Sequence, residues 1–329
     1  MDIFLKLSVA TSSCYKMQCN SGSQFMPPSA CTLLVNDTMY LNPCDPDYSC
    51  QIGFETSYCI PNVEMPTALS YPGEPCKKTL DCKYGKCKYG YCQGKEEKKS
   101  CSLDGECSPG LYCKTGICTQ LLSVGESPCI TDFDCVNSAG CLSGTCVSYF
   151  SLENGATISQ CSGQFSYFCQ SGTCWQNQCI EPLISSNSIP TPCDDYTTCT
   201  SNITSNGMIF YSDCVCGNNQ YGTKYCSLFA GDDYYFLFLS SMGNWLSSEV
   251  SGLCNTVRRF DSDCIKQFWD KPNYQELMLY YIKTNYYPQI QANDDCVKDI
   301  YTSFYWDLIE EITFARMATL GIAIVLAFA

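Results

Sequence analysis

The sequence predicts a fold of small disulfide-rich modules in tandem, made of short β-hairpins and loops, followed by an α-helical C-terminal domain. The first observation behind this prediction is the content of 30 cysteines in 329 residues. They are even in number and regularly spaced, which is typical of extracellular disulfide frameworks. The second is that the first 226 residues lack long apolar runs, so cross-links must replace a large core there. The third is that aromatic and aliphatic residues recur with a helical period from Asp232 onward.

The charge of the chain is unevenly distributed. The formal net charge is −14 and the isoelectric point is about 4.4. These values argue against nucleic acid or an anionic membrane surface as a partner, because both attract basic surfaces. Nine lysines nevertheless lie between residues 77 and 114, whereas neither Lys nor Arg occurs from Cys118 to Gly222. A locally basic segment therefore precedes a segment without positive side chains.

Residue content also argues against the common catalytic and metal sites. The chain contains no histidine and no pair of cysteines in C-x2-C spacing, which closed zinc sites commonly use. Without histidine, and with the cysteines expected in disulfides, neither a serine nor a cysteine protease dyad is present. We therefore expect a protein that is not an enzyme and that uses no cofactor and no metal.

Paired carboxylates are the remaining candidates for glycosidase-like chemistry or calcium binding. No twelve-residue calcium loop surrounds them, so we interpret them as caps or as solvated loop residues. The pairs are Asp194 with Asp195, Asp232 with Asp233, Asp261 with Asp263, and Asp294 with Asp295.

Four copies of one four-cysteine unit occupy residues 76–182. In the first three copies an acidic residue precedes the second cysteine. A glycine lies between the third and fourth cysteines of these copies, where it can supply the positive φ of a tight hairpin turn. Each unit is predicted to close as a small hairpin module with two bridges, whose pairing the spacing leaves open. The cysteines of these units are Cys76, Cys82, Cys87, Cys92, Cys101, Cys107, Cys113, Cys118, Cys129, Cys135, Cys141, Cys146, Cys161, Cys169, Cys174 and Cys179.

This spacing resembles the cysteine-rich repeats of secreted Dickkopf-type and related disulfide-hairpin proteins. It is also similar to the tandem cysteine-rich repeats on surface proteins of ciliated protozoa. The resemblance covers roughly a third of the chain and implies an extracellular location and a modular architecture. It carries over no ligand-binding residue.

The other cysteines define further segments. Residues 14–60 are predicted to form a six-cysteine module, and residues 193–231 a module with five cysteines. Three more cysteines follow in the helical region. If the earlier modules close internally, at least one bridge must therefore join the five-cysteine module to that region. Residues 61–75 and 183–192 contain prolines and are interpreted as linkers.

Residues 232–316 are predicted to form an aromatic-rich helical domain. Its first helix is expected directly after the aspartate pair at the start of this range. A second helix is predicted over Pro272–Tyr287, where apolar residues recur at helical spacing with Leu277 and Met278 at the centre of one face. A third helix is expected to begin near Asp294 or Asp295, and the three should pack as a small bundle.

The two ends of the chain are each interpreted as processing or anchoring segments. Residues 1–13 form a weak signal-like segment with cleavage expected near Ser12 or Ser13, because disulfides require export. The apolar tail, residues 317–329, is too short to cross about 30 Å of hydrocarbon as a helix. We interpret it either as a glycolipid-anchor signal or as the end of a structural helix buried against the bundle or another subunit.

Taken together, these features predict a non-enzymatic extracellular structural glycoprotein of a cell-surface coat, filament or appendage. Asn36 and Asn202 are expected to carry N-glycans, because each begins an N-x-T acceptor sequence. Head-to-tail self-association, or contact with other surface-coat proteins, is expected through a basic patch facing the cation-free segment of a neighbour. The alternative for this patch is that it keeps the repeat soluble or meets an anionic glycan. The patch consists of Lys77, Lys78, Lys83 and Lys86.

Two other functions stay open at this stage. One is a glycolipid-anchored receptor or ligand-binding or adhesion ectodomain, whose repeats would bind a secreted factor. The other is a secreted protein resembling a protease inhibitor, a role to which disulfide hairpins are suited. An assembly of high mass without a partner would favour the structural role, and a monomer released by phospholipase would favour the anchored ectodomain.

Overall fold

The computed structural model describes residues 14–20, 26–27, 29–45, 47–50, 56–61, 69–159, 161, 163–288 and 295–297. All 30 cysteines lie in these ranges and are joined in 15 disulfides. The signal-like segment, most of the first linker, most of the third expected helix and the apolar tail lie outside the described residues. Among the helices of the described ranges, none has the length and apolar character needed to cross a membrane.

The chain divides into two compact units. One contains the described residues from 69 to 182 together with Phe236–Leu277. The other contains those from 14 to 61, Leu183–Tyr235 and those from 278 to 297. The helical region expected from residue 232 onward is thus divided between the units, because Phe236–Leu277 packs with the four repeats.

The regular elements are short. The helices are α1 (Asp233–Ser247), α2 (Ser262–Phe268), α3 (Lys271–Asn285) and the single turn α4 (Asp295–Val297). The strands are β1 (Lys16–Cys19), β2 (Ala30–Val35), β3 (Thr38–Leu41), β4 (Tyr48–Cys50), β5 (Thr56–Pro61), β6 (Cys87–Lys88), β7 (Tyr91–Cys92), β8 (Leu111–Lys114), β9 (Ile117–Gln120), β10 (Ala139–Leu142), β11 (Thr145–Ser148), β12 (Cys174–Trp175), β13 (Gln178–Cys179), β14 (Pro192–Cys193), β15 (Cys214–Cys216) and β16 (Lys224–Cys226).

The first five strands form one sheet in the order β1-β3-β2-β5-β4. β1 runs parallel to β3, and the other neighbours are antiparallel. Asn36 and Asp37 join β2 to β3 at positive φ angles of 48° and 59°, as a type I′ hairpin turn requires. The buried cluster at this sheet includes residues of α4. It consists of Met17, Met39, Leu41, Cys296 and Val297.

Each of the four repeats ends in a two-stranded hairpin, formed by β6–β7, β8–β9, β10–β11 and β12–β13. In every hairpin the third and fourth cysteines are directly opposite each other. Both turn residues have positive φ, and in three repeats the second is the predicted glycine, as with Gly116 at 87°. Asn177 takes this position in the fourth repeat at 61°, since asparagine tolerates the left-handed region better than most residues.

The two bridges of each repeat are interlaced. The first cysteine pairs with the third and the second with the fourth in all four repeats. The N-terminal sheet contains the same arrangement, because Cys31 pairs with Cys50 and Cys44 with Cys59. Cys50 and Cys59 are again opposite each other on antiparallel strands. The predicted disulfide-hairpin architecture is therefore present beyond the four repeats.

A fifth copy of the repeat lies in the five-cysteine module. Cys193 pairs with Cys214 and Cys199 with Cys226, which is the same interlaced pattern. A 3-10 turn over Tyr196–Thr198 precedes the second cysteine, as similar turns do in the four repeats. The first and third cysteines of this copy are 21 residues apart, against 11–13 in the repeats. This longer loop conceals the copy in the sequence.

The prediction of a disulfide between the five-cysteine module and the helical region is wrong. The extra cysteine of that module, Cys216, pairs with Cys14, whereas Cys296 pairs with Cys19 and the remaining two helical cysteines pair with each other. The expectation failed because the N-terminal module does not close internally. Its strand β1 contacts the five-cysteine module, where the Met17 N–H donates to the Asn219 carbonyl at 3.1 Å.

The helices agree with the sequence in part. α3 confirms the helix predicted over Pro272–Tyr287, and both central residues are buried, Leu277 at 1 % and Met278 at 8 % exposure. Leu279 and Tyr280 are buried as well, so burial is not confined to the one apolar face that was predicted. α1 begins where the first helix was expected. The short helix α2 was not expected, and Asp261 caps it by accepting a hydrogen bond from the Asp263 N–H at 3.0 Å.

Candidate interaction surface

The acidic residues that precede the second cysteine hold the turns of the repeats. The Asp81 carboxylate accepts hydrogen bonds from the backbone N–H groups of Lys77 and Lys78 at 2.8 and 2.9 Å. These bonds lower the pKa of Asp81, because they stabilise its charged form. Asp134 makes the equivalent contact with the Ile130 N–H at 2.6 Å. These carboxylates are therefore structural.

The paired carboxylates singled out in the sequence accept hydrogen bonds that hold turns and loops. Asp195 accepts from the Thr197 N–H at 2.8 Å and caps the turn of the fifth copy. Asp232 is buried and accepts from the N–H groups of Ser185 and Phe229, both at 2.8 Å. The interpretation of these pairs as caps is confirmed for Asp195 and Asp261. Asp232 is instead a buried residue that joins two loops. Asp294 lies outside the described residues.

The cysteine sulfurs come close together in the interlaced pairs. In five of these pairs, three sulfurs lie within 4.8 Å of one another, a spacing that could suit a metal. Every sulfur in these groups is in a disulfide, and a disulfide sulfur is not the thiolate that zinc binds. The proximity of the sulfurs therefore follows from the interlaced bridges.

The segment Cys254–Cys264, here called the clasp, is closed by its own disulfide and binds the repeats. Arg259 of the clasp is 1 % exposed. Its guanidinium donates to carbonyl oxygens of the third repeat at 2.6–3.3 Å. Three of these carbonyls lie in or directly after the turn before the hairpin, and the fourth is at the first residue of strand β10. They belong to Asp132, Cys135, Val136 and Ala139.

Two further residues of the clasp contact the second repeat and the residues just before the first repeat. Asn255 is fully buried, and its Nδ2 donates to the Cys107 carbonyl of the second repeat at 2.8 Å. Arg258 donates through Nε to the Glu74 carboxylate at 3.0 Å, just before the first repeat, and it stacks 5.0 Å from the ring of Tyr71. One segment of the helical region thus contacts the second and third repeats and the residues just before the first repeat.

A groove of about 530 Å³ lies at the junction of the first two repeats and is lined by four lysines. Lys83 donates to the Tyr71 hydroxyl at 2.5 Å, and this bond raises the pKa of the lysine. Lys95 forms an ion pair with Glu106 at 2.7 Å, which lowers the pKa of that carboxyl group. The ammonium group of Lys88 lies 4.9 Å from the ring of its neighbour, Tyr89.

The structure divides the four lysines that were predicted to mediate self-association. Lys83 and Lys86 line the groove, whereas Lys77 and Lys78 do not. All four are exposed. The sequence did not single out Lys88, which lies in the hairpin of the first repeat, or Lys95, which is held at the junction by backbone contacts with the second repeat.

The two glycosylation acceptors are placed on exposed turns. Asn36 is exposed in the β2–β3 turn, and Asn202 is exposed on the long loop of the fifth copy. The Thr204 hydroxyl of the second acceptor is engaged within its loop, because it accepts from the Met208 N–H at 3.1 Å. A glycan at Asn36 would leave the buried face of the sheet undisturbed.

The clasp arginines were missed by sequence reasoning. Arg258 and Arg259 are the only basic residues between Lys224 and Lys266. An isolated Arg-Arg pair in a cation-free and aromatic-rich stretch is a signal that could have marked them as buried.

Comparisons with known proteins give no relative. No family model matches the chain, and neither a curated protein nor a solved structure matches it. The extensive disulfide bonding is typical of proteins of oxidising, extracellular compartments. The resemblance to Dickkopf-type and ciliate surface repeats stays an expectation from the cysteine spacing.

Proposed function

We propose that this protein is a non-enzymatic structural component of an extracellular coat, filament or appendage. The observation that supports this proposal best is that its cysteines and the carboxylates described above form structural contacts. All cysteines are in disulfides, and the carboxylates before the second cysteines hold turns. The clasp binds the second and third repeats and the residue Glu74, just before the first repeat, through buried and partly buried polar side chains. Such cross-linking suits a protein that must keep its shape outside the cell.

Self-association through the basic patch is the finer part of this proposal. The four predicted lysines are exposed, and the segment from Cys118 to Gly222 offers carboxylates without a competing cation. Exposed carboxylates of that segment include Glu126, Glu153 and Asp213. Contacts between different patches on neighbouring copies are heterologous and give rings or open filaments. N-glycans at Asn36 and Asn202 belong to the same proposal.

Charge reversal tests the self-association. The variant carries Lys77→Glu, Lys78→Glu, Lys83→Glu and Lys86→Glu. We expect the parent to form assemblies of high mass at low salt, seen by sedimentation and electron microscopy. The variant should stay small, because surface charge contacts are weakened when the sign of one partner is reversed.

The matched control reverses four other exposed lysines and so has the same net charge. It carries Lys98→Glu, Lys99→Glu, Lys114→Glu and Lys266→Glu, and it should assemble like the parent. Equal assembly by the parent and the patch variant would overturn the charge-based contact. A parent that stays monomeric, and is released from cells by phospholipase, would instead indicate an anchored ectodomain.

A further inference from the structure

The groove at the junction of the first two repeats has an excess of positive charge. Lys83, Lys86, Lys88 and Lys95 line it, and the one carboxylate of its lining is Glu106. That carboxylate is already engaged, because it pairs with Lys95 at 2.7 Å and accepts from the Ser102 N–H at 3.0 Å. The groove therefore offers more ammonium groups than its own acidic lining can neutralise.

The shape of the groove is fixed by backbone contacts between the repeats. The Lys95 N–H donates to the Glu106 carbonyl at 2.8 Å, and the Ser108 N–H donates to the Lys95 carbonyl at 3.0 Å. Two glycines of the lining leave no room for a side chain. A Cβ at Gly85 would lie 1.9 Å from the Gln93 carbonyl oxygen, and one at Gly94 would lie 2.5 Å from the Ser108 nitrogen. The lysines thus border a preformed depression.

Only the first junction between repeats has lysine at all three of the positions compared below. Three positions can be compared among the junctions: the residue after the second cysteine, the residue after the third, and the residue that pairs with the second cysteine of the next repeat. Basic residues give way to apolar ones along the array. The sets are Lys83, Lys88 and Lys95 at the first junction, Ser108, Lys114 and Leu122 at the second, and Val136, Leu142 and Leu152 at the third.

We infer that this groove binds an anionic polysaccharide, a chain whose acidic groups are sulfates or carboxylates. Lysine ammonium groups on flexible stems bind such groups as point charges, without the fixed geometry that arginine imposes. The lining contains one aromatic residue, Tyr84, and no large aliphatic residue. Protein interfaces take most of their affinity from buried aromatic and apolar anchors, so a folded protein partner fits the groove less well than a charged sugar chain.

The overall negative charge of the protein does not prevent this binding. Exposed charges act over about 8–10 Å at physiological salt, so carboxylates farther from the groove than this have little effect on an anion bound there. The same screening predicts that the affinity falls steeply as salt increases. The inference goes beyond the proposed self-association and does not depend on it, because Lys88 and Lys95 are outside the predicted patch and Lys77 and Lys78 are outside the groove.

Two paired variants of the full-length chain test the inference. Lys86→Gln with Lys88→Gln removes two charges from the groove, and Lys77→Gln with Lys78→Gln removes two exposed charges beside it. Binding is measured with heparin as the sulfated probe, polygalacturonate as the carboxylated probe and dextran as the neutral one. We expect the groove variant to raise the Kd for a bound anionic probe about tenfold or more and the neighbouring variant to raise it less than about threefold.

Disulfide mapping of both variants checks that they fold like the parent, which is expected because all four side chains are exposed. Binding of heparin alone would identify sulfate as the acidic group, and binding of polygalacturonate alone would identify carboxylate. Equal losses in the two variants would overturn the inference, as would the absence of binding to both anionic probes at low salt. Tighter binding of polyglutamate than of either polysaccharide would also overturn it and would indicate an acidic protein partner.

Discussion

Arg259 is a buried cation whose partners are mainly backbone carbonyls. Burial lowers the pKa of its guanidinium, and the nearby Tyr149 and Asp132 oppose this shift. Arginine keeps its charge under ordinary conditions, so the carbonyl dipoles must replace the water that the side chain loses. The planar guanidinium can donate in several directions at once, which allows one side chain to bind the whole turn of the third repeat.

Replacing Arg259 with methionine should destabilise this unit strongly. The substitution keeps an apolar chain but removes the guanidinium donor from the carbonyls of Asp132, Cys135 and Ala139. We expect the free energy of unfolding to fall by about 3–5 kcal/mol, because several buried acceptors lose a partner together. Denaturant unfolding under non-reducing conditions measures the change through tryptophan fluorescence. Trp245 contributes to that signal, and its indole N–H donates to the Arg259 carbonyl at 2.8 Å.

Lys266→Met is the matched control for this prediction, because Lys266 is an exposed cation in the same unit. It should change the free energy of unfolding by less than about 0.5 kcal/mol. If Arg259→Met unfolds at the same denaturant concentration as the control, the clasp does not hold the repeats in the way described.

Among the elements, the repeat hairpins depend on bridges and the helices depend on burial. Each hairpin strand has two to four residues, which is too short for a stable isolated hairpin. Helix α3 is longer and buries apolar residues, among them Leu277 at 1 % and Ile282 at 0 % exposure. The stability of α3 therefore comes from packing of these buried residues.

Truncating Leu277 to alanine tests the packing of α3. Because the side chain is buried, we expect the free energy of unfolding of the full chain to fall by about 2–5 kcal/mol. Asn285→Ala at the exposed end of the same helix should cost less than about 0.5 kcal/mol. Thermal and denaturant unfolding compare the two variants. A cost for Leu277→Ala as small as that of the control would show that this face is not buried in solution.

The elements also show why sequence reasoning succeeded in some places and failed in others. Regular cysteine spacing and glycine turns identify the four repeats, and helical periodicity identifies α3, because these signals are local. The fifth copy was not predicted from the sequence because its second and third cysteines, Cys199 and Cys214, are separated by a long loop. The lysine-lined groove was not predicted because Lys95 is positioned by backbone contacts that form only in the folded junction.

On the scale of the whole molecule, segments that are far apart in sequence pack together. Each compact unit combines segments far apart in sequence. The bridges Cys14–Cys216 and Cys19–Cys296 span 202 and 277 residues within one of these units. Spacing could not predict them, since even six cysteines allow fifteen pairings.

Disulfide mapping of the intact protein tests this arrangement. We expect crosslinked peptides that join Cys14 to Cys216, Cys19 to Cys296 and Cys254 to Cys264, with no bridge between the fifth copy and the clasp. Proteolysis under non-reducing conditions followed by mass spectrometry identifies them. Free thiols at Cys14 and Cys19, or a bridge between those two residues, would contradict the structure.

The Cys19–Cys296 bridge has a consequence for biosynthesis. At a translation rate of about 5–20 residues per second, the 277 residues between these cysteines take roughly 14–55 s to synthesise. During that time Cys19 is exposed as a thiol or in a temporary pairing, while the local pairs of the repeats can already close. Formation of the correctly bridged protein should therefore depend on an isomerase that reopens early mispairings through thiol–disulfide exchange, more than formation of an isolated run of repeats would.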